Sequence, residues 1–194
     1  MPTEPKGFYE RIGDIEMYWN EIRDIIASIT KEMQFSALDI GCNDGSITVK
    51  LLEHFALVEG LEPHQETFEK AQGNLLEYYP KLLLRQWRIE DYVSAFPDKK
   101  YDWIFCLGVL QKLPEPTFAN FIPVIKWIIK NTNKVAVIRI PKKYPYISKM
   151  IRLALNDGYT VTVRESKVFK KINHYFILKK ECQDDNASPN ELLP

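Results

Sequence analysis

The sequence predicts a three-layer α/β/α sandwich around a seven-stranded, mostly parallel sheet that ends in an antiparallel C-terminal β-hairpin. Strand-length apolar runs alternate with segments whose apolar residues recur every three or four positions. This alternation is typical of a parallel sheet covered by helices on both faces. The last two runs are joined by a short polar link, which favours a hairpin. With 194 residues, 45% of them hydrophobic, the chain is large enough for one sizeable core.

The first half of the chain contains three predicted strands and three predicted helices. Apolar runs predict strands over residues 35–40, 57–61 and 82–87. Apolar residues at helical spacing predict an amphipathic first helix at about 8–33 and two further helices, from Ile47 to Phe55 and from Pro63 to Leu75. Pro63 suits a helix start because the first helical N–H has no intrahelical partner in any case.

The second half contributes four strands and two helices. The strands are predicted over residues 101–107, 135–140, 159–169 and 174–179. One helix carries Phe118 to Ile129, and the other covers residues 146–156 and is ended by Gly158. Pro123 lies inside the first of these, so that helix either kinks at the proline or starts close to it. Residues 1–181 are therefore interpreted as one domain, and the polar residues 182–194 as a disordered tail.

Composition narrows the classes of partner. Lys plus Arg and Asp plus Glu number 26 each, so no net field attracts a polyanion, and a nucleic-acid partner is unsupported. Every apolar run is far shorter than the ~20 residues of a membrane-spanning helix. The N-terminus lacks an apolar signal region, and the three cysteines are widely spaced and odd in number. These features favour a reduced, cytoplasmic protein with neither a disulfide framework nor a metal site.

The turn after the first strand contains the residues that indicate a ligand-binding site. Its sequence, from Asp39 to Gly45, is DIGCNDG, and its small residues let a ligand approach the backbone. The helix beyond the turn presents unpaired N–H groups at its N-terminus. The dinucleotide pattern GxGxxG is absent, and Asp39 stands where it would face a pyrophosphate. An acid in this place suits a cationic ligand instead.

This stretch resembles motif I of the class I, Rossmann-like S-adenosylmethionine-dependent methyltransferases, in which an acid is followed by alternating glycines. Asp39, Gly41 and Gly45 are in register with that motif, and Asn43 replaces its middle glycine. The resemblance runs from about residue 35 to residue 180 and implies that S-adenosylmethionine is the cofactor and S-adenosylhomocysteine the product. It further implies that the backbone from Gly41 to Gly45, including Cys42, lies against the methionine part and that Asp39 holds its ammonium group.

The same resemblance assigns the nucleoside part of the cofactor. Glu62 ends the second strand, where a carboxylate accepts both ribose hydroxyls, and Glu59 is its competitor. After the third strand the adenine is expected beside Ile89, Glu90 or Asp91, a choice that the sequence leaves open. The remaining predicted cofactor contacts, from the turn after the second strand and from a strand similar to motif IV, are Pro63, Cys106 and Leu107.

The reaction that the resemblance implies is an in-line displacement. It requires mainly that the acceptor be held about 3 Å from the methyl carbon. A general base helps only when the acceptor is a hydroxyl that must lose its proton. The candidates for a catalytic role, all near predicted strand ends, are His64, Gln111, Lys112 and Tyr144, with His174 a weaker one. None has a partner at diagnostic spacing, and a lone histidine is more often structural.

Several classes of acceptor fit the sequence. An O or N atom of a small molecule or sugar fits a compact core whose additions are the first helix, with Tyr18, and the loop after the fifth strand. A cell-surface polysaccharide or its terminal phosphate is favoured by short motif similarities, and Arg139, Lys142 and Lys143 would then meet an anion. RNA is a third class, because Asn43 also resembles RNA-methylating enzymes, although the neutral net charge argues against it. A catalytically silent scaffold with the same fold is the alternative to an enzyme.

Overall fold

A computed structural model of the protein describes residues 15–113, 118–168 and 173–181. The predicted beginning of the first helix, at 8–14, and the predicted tail at 182–194 lie outside the described residues. The described helices are α1 Ile15–Ala27, α2 Ser46–Leu51, α3 Gln65–Leu75, α4 Ile89–Ala95, α5 Phe118–Asn131 and α6 Ile147–Asn156. The strands are β1 Gln34–Ile40, β2 Phe55–Leu61, β3 Leu82–Arg85, β4 Tyr101–Leu107, β5 Thr132–Pro141, β6 Tyr159–Glu165 and β7 Asn173–Lys180. Single 3₁₀ turns cover Leu76–Tyr78 and Leu110–Lys112.

The seven strands form one sheet in the order β3-β2-β1-β4-β5-β7-β6. The pairs β1–β2, β1–β4, β2–β3 and β4–β5 are parallel, whereas β7 pairs antiparallel with both β5 and β6. This confirms the predicted fold class, including the final hairpin with its last strand inserted beside β5. The chain reverses its direction of winding between β1 and β4, and open α/β sheets bind ligands outside the carboxyl ends of their strands at such a switch point.

Apolar side chains on both faces of the sheet are buried under helices. On one face, α1 and α2 pack through Tyr18, Ile22 and Ile47 against alternate residues of the central strands, such as Val137. On the other face, α4, α5 and α6 cover the intervening strand residues. Two apolar faces on every central strand explain why these strands appear in the sequence as continuous hydrophobic runs.

Several predicted boundaries differ from the structure. The first helix, predicted to about residue 33, ends at Ala27, and the sixth strand, predicted to residue 169, ends at Glu165. Phe55, predicted in the second helix, begins β2, where it pairs with Gln34 and is buried. β3 ends at Arg85, before Trp87, and the helix α4 that follows it was not predicted. Pro123 lies inside α5, five residues after its start, so the helix begins more than one turn before the proline.

Candidate functional site

A cavity of about 590 Å³ opens at the carboxyl edge of the sheet, where β1, β2 and β4 end. Its size lies within the range of small-molecule and cofactor pockets. The predicted site residues that line it are Asp39, Gly41, Asn43, Glu62, Pro63, His64, Ile89, Glu90, Leu107, Gln111, Lys112 and Arg139. The predicted residues that lie elsewhere are Cys42, Gly45, Glu59, Asp91, Cys106, Lys142, Lys143, Tyr144 and His174. The cavity thus brings together residues from five separate parts of the sequence.

The turn after β1 is tied to the end of the neighbouring strand. The backbone N–H groups of Gly41 and Cys42 both donate to the carbonyl of Leu61, at 2.8 and 2.9 Å. Gly41 has a φ of +73°, and a β-carbon added there would stand 2.4 Å from Cγ2 of Val109. Glycine is therefore needed both for the left-handed backbone and for the close approach of the loop after β4.

Asp39 supplies a buried carboxylate at the floor of the cavity. It is 3% exposed, and its Oδ2 accepts a hydrogen bond of 2.8 Å from the hydroxyl of Thr48. Burial raises the pKa of Asp39 from 3.8 to about 6, although the Thr48 hydrogen bond acts to lower it. Asp39 is consequently ionised at neutral pH and is neutralised by modest acidification.

Glu62 stands across the turn from Asp39 and is 5% exposed. Its Oε2 accepts the backbone N–H of Asn43 at 3.0 Å, and its Oε1 accepts the backbone N–H of His64 at 3.0 Å. The carboxylate is thereby fixed between the turns after β1 and β2. A carboxylate oxygen has room for a second donor, so both oxygens keep an acceptor position for a ligand.

Glu59, the competitor of Glu62, does not line the cavity. It is equally buried, but it lies inside the sheet face covered by α4 and α5. Four groups surround it and donate to its carboxylate: Arg85 Nε at 2.5 Å, Lys99 Nζ at 2.5 Å, and the hydroxyls of Tyr92 and Tyr101 at 2.9 Å. Burial acts to raise the pKa of Glu59, but these partners, Lys99 foremost, hold it below its ordinary value. Glu59 is thus a structural ion-pair centre.

Two polar segments form the side of the cavity nearest β3. Pro63, His64 and Thr67 lie at the start of α3, and Trp87 to Glu90 lie at the start of α4. Trp87 packs edge-on against Phe96, with ring centroids 5.7 Å apart. Neither Trp87 nor Thr67 was a predicted site residue. An aromatic residue beside the predicted adenine contacts was a signal available for Trp87, whereas Thr67 carries no comparable signal.

Comparison with known proteins finds a family match. Residues 37–131, just under half of the chain, match the family model described as a methyltransferase domain. The chain carries a methyltransferase domain over these residues. The crystal structure of magnesium protoporphyrin IX methyltransferase from Synechocystis PCC 6803 with bound S-adenosylmethionine superposes with a TM-score of 0.68 at 16% identity, over 91% of this chain and 86% of that chain. This likeness confirms the methyltransferase fold.

Two curated relatives are ubiquinone biosynthesis O-methyltransferases. The protein from Aeromonas salmonicida is 28% identical over 130 residues, which cover 62% of this chain and 53% of that protein. The protein from Nitrosomonas europaea is 24% identical over 149 residues, which cover 74% of this chain and 60% of that protein. The chain therefore spans little more than half the length of these relatives.

The side of the cavity nearest β5 is formed by the loop after β4 and by Arg139. Gln111 and Lys112 lie on the 3₁₀ turn of that loop. Arg139 Nη2 donates to the carbonyl of Leu107 at 3.2 Å, and its guanidinium carbon lies 4.7 Å from the ring centroid of Tyr18. A cation over an aromatic face is favourably placed. Tyr18, on the predicted first helix, thus contributes both to the core and to the cavity wall.

The remaining catalytic candidates differ in access. His64 lines the cavity with an exposed side chain at the start of α3. Tyr144 is buried off the cavity, its hydroxyl donates to the carbonyl of Leu110 at 3.2 Å, and burial raises its pKa. His174 Nε2 lies 3.5 Å from Glu165, away from the cavity. Lys142 and Lys143 are exposed beyond β5, and Lys142 Nζ is 3.8 Å from Glu165.

The two buried cysteines lie beside the cavity. Cys42 packs its sulfur within 3.0 Å of the point where a β-carbon on Gly60 would stand. Cys106 belongs to the core, and burial raises its pKa to about 12. Among the residues that the structure describes, no group of three or more His, Cys, Asp or Glu side chains is placed to hold a metal ion. No helix within the described ranges is long and apolar enough to cross a membrane.

Proposed function

We propose that the protein binds S-adenosylmethionine across the ends of β1 and β2 and transfers its methyl group to an oxygen atom of a small molecule. The observation that carries this proposal is the pair of buried carboxylates, Asp39 and Glu62, on either side of the glycine turn in one cavity. S-adenosylmethionine presents an ammonium group at one end and two ribose hydroxyls in the middle. Two carboxylates at adjacent strand ends match that distribution of donors.

The residues present fit the cofactor along the cavity. Asp39, ionised above a pKa of about 6, is suited to hold the ammonium group beside the turn. Both oxygens of Glu62 keep an acceptor position beyond the amides of Asn43 and His64, as the two ribose hydroxyls require. Trp87 and Ile89 offer apolar surface for the adenine. Cys42, Gly45 and Cys106 have no side chain in the cavity, so their proposed contribution is confined to the backbone and to packing.

The chemistry of the transfer end favours positioning over strong base catalysis. The bound cofactor supplies an activated methyl group, and most of the rate acceleration can come from holding the acceptor in line with it. Oε1 of Gln111 is buried and accepts no hydrogen bond within the described part of the chain. That oxygen is suited to accept the O–H of an acceptor and so to orient the hydroxyl oxygen. Lys112 is the neighbouring titratable group, and its charge would stabilise a developing alkoxide or phenoxide.

The choice of an oxygen acceptor is supported by the curated relatives, which carry O-methyltransferase in their names. Because this chain spans little more than half of their length, the acceptor itself stays a proposal. The cytoplasmic location and the carbohydrate and RNA alternatives likewise stay predictions.

The proposal is tested by binding and then by turnover. Isothermal titration with S-adenosylhomocysteine should give a saturable heat for the wild-type protein and a strongly reduced one for Asp39→Asn. Methyl-labelled S-adenosylmethionine is then incubated with hydroxylated small molecules, oligosaccharides and RNA, and the labelled product class is identified. Absence of binding would support a silent scaffold. Binding followed by label in RNA or polysaccharide alone would replace the small-molecule acceptor.

A further inference from the structure

We propose that Arg139 and Gln111 form a subsite for an anionic oxygen group, a carboxylate or a phosphate, at the β5 side of the cavity. This inference rests on the proposed function and adds the chemical class of the group that is bound there. Arg139 lies on β5, which is separated from β1 and its Asp39 by one strand, β4. Its side chain lines the cavity although the residue is only 4% exposed.

The guanidinium of Arg139 is held in a fixed position. Arg139 pairs with Leu107 across the parallel β4–β5 ladder, and its Nη2 donates to the Leu107 carbonyl at 3.2 Å. The ring of Tyr18 covers the guanidinium at 4.7 Å. A planar cation fixed by a hydrogen bond and an aromatic face is pre-organised for an oxyanion, because little rotamer entropy is lost when the anion binds.

The side chains of Gln111 and Arg139 approach each other beside Gly108. A β-carbon on Gly108 would stand 2.5 Å from Arg139 Nη2 and 3.4 Å from Gln111 Nε2, so these two nitrogens lie within about 6 Å of each other. Gly108 has a φ of +82° and no side chain to fill the space between them. Two nitrogen donors therefore lie close together in the cavity wall, as recognition of a carboxylate or phosphate requires.

The distribution of charge in the cavity favours an anion at this end. The walls near β1, β2 and α4 carry the carboxylates of Asp39, Glu62 and Glu90, which repel an anion. The buried guanidinium of Arg139 attracts one, and Coulomb interactions are stronger in a buried site than in bulk water. Two sources supply this chemistry: an anionic group on the methyl acceptor, or the α-carboxylate of the cofactor.

The experiment compares Arg139→Gln and Arg139→Lys with wild type and with Arg152→Gln. Arg152 is exposed on α6, so its variant removes the same charge outside the cavity. Thermal unfolding establishes that each variant is folded, and Arg139→Lys keeps the charge if Arg139→Gln fails to fold. Calorimetry then measures the affinity of each variant for S-adenosylhomocysteine and for its decarboxylated analogue. Calorimetry on the S-adenosylhomocysteine complex measures the affinity for 4-hydroxybenzoate, neutral 4-hydroxybenzamide and inorganic phosphate.

The arms separate the two sources of the anion. If the acceptor supplies it, wild type and Arg152→Gln prefer hydroxybenzoate or phosphate over the amide. Arg139→Gln then loses this preference by about tenfold or more, and Arg139→Lys in part. If the cofactor supplies it, Arg139→Gln loses affinity for S-adenosylhomocysteine to a similar extent but binds the decarboxylated analogue as wild type does.

The subsite is overturned if Arg139→Gln matches wild type for every anionic probe, or if wild type itself shows no preference for an anion in either series. Failure of the proposed function is a separate result. It would appear as the absence of any S-adenosylhomocysteine heat in wild type, and inorganic phosphate titrated into the free protein would then test the subsite alone.

Discussion

Replacing Glu62 by glutamine separates the two acidic candidates at the end of β2. The variant keeps the size of the side chain but removes its charge and one of its two acceptor oxygens. In the native protein, these oxygens accept the backbone N–H groups of Asn43 and His64, both at 3.0 Å. The glutamine NH₂ group would face one of those N–H donors and could not accept its hydrogen bond. One of the two turns would therefore lose its contact with residue 62, and one ligand hydroxyl would lose its acceptor.

The magnitude follows from the bonds that are lost. A hydrogen bond to a charged group contributes about 1.5–3 kcal/mol. If Glu62 holds the ribose hydroxyls, the affinity for S-adenosylhomocysteine should fall about 10- to 150-fold. The free energy of unfolding should fall by about 1–3 kcal/mol, because one buried N–H group is left without its acceptor.

The assay is isothermal titration with S-adenosylhomocysteine, combined with urea unfolding of the same preparations. Two matched variants serve as controls. Glu66→Gln removes an exposed carboxylate from the first turn of α3 and should change neither quantity. Glu59→Gln should lower the free energy of unfolding by about 3 kcal/mol, as for a broken buried ion pair, and leave the affinity of the folded protein unchanged.

The result that refutes the assignment is specific. If Glu62→Gln binds S-adenosylhomocysteine within twofold of wild type while Glu59→Gln loses affinity, the ribose site does not lie at the end of β2 as described. If both variants lose stability and neither loses affinity, the cavity holds the cofactor in another orientation.

Three further predictions concern the pH dependence of cofactor affinity, the pH dependence of stability, and the substitution of two glycines. The affinity for S-adenosylhomocysteine should fall as the pH falls from 7 to 5, because Asp39 has a pKa of about 6 and loses its charge in that range. Asp39→Asn should bind weakly with no such slope, and a flat wild-type profile would contradict the role of the carboxylate. Glu59 has a lowered pKa, so its stabilising contribution is present above about pH 4.5 and is lost as the pH falls through its folded value. The difference in unfolding free energy between pH 7 and pH 3 should therefore be smaller in Glu59→Gln than in wild type, and an equal difference would argue against the ion-pair centre. Gly45→Ala should destabilise the protein by about 1–2 kcal/mol, because Gly45 has a φ of +80° and its new β-carbon would stand 2.2 Å from Leu75 Cδ1. Gly73→Ala is the control, since Gly73 is exposed in α3 with open space around it, and alanine there should stabilise the helix by up to about 1 kcal/mol; destabilisation by both alanines would contradict the backbone argument.

The sheet could be predicted from the sequence because each central strand is buried on both faces. Short continuous apolar runs such as Val135 to Ile140 are typical of such strands, and their alternation with helical patterns fixes the fold class. The helix α4 was missed although Ile89, Tyr92, Val93 and Phe96 stand at helical spacing. Seven residues are fewer than the window over which such periodicity is reliable, and Trp87 was assigned to the adjoining strand.

Strand ends located the candidate site, but not which side chains face the cavity. Consecutive side chains of a strand point to opposite faces, so Leu107 lines the cavity whereas Cys106 is buried in the core behind it. In the turn after β1, Cys42 likewise does not line the cavity, and its sulfur packs against Gly60. The sequence identifies the turns and strand ends that line the cavity. The direction of each side chain depends on packing against residues that are distant in the sequence.

Glu59 and Glu62 show how the alternation of side chains along β2 distinguishes a structural carboxylate from one that faces the cavity. Glu59 lies two residues before Leu61, on the same face of β2, and Leu61 belongs to the core that α4, α5 and α6 cover. A carboxylate inside that face must be paired, since an isolated buried charge is too costly, and Tyr92, Tyr101, Lys99 and Arg85 supply the partners. Glu62 comes after the last strand residue, where backbone amides of turns hold it and one side opens on the cavity. In β2, the charge within the buried strand thus belongs to a structural network, whereas the charge just beyond the strand faces the cavity.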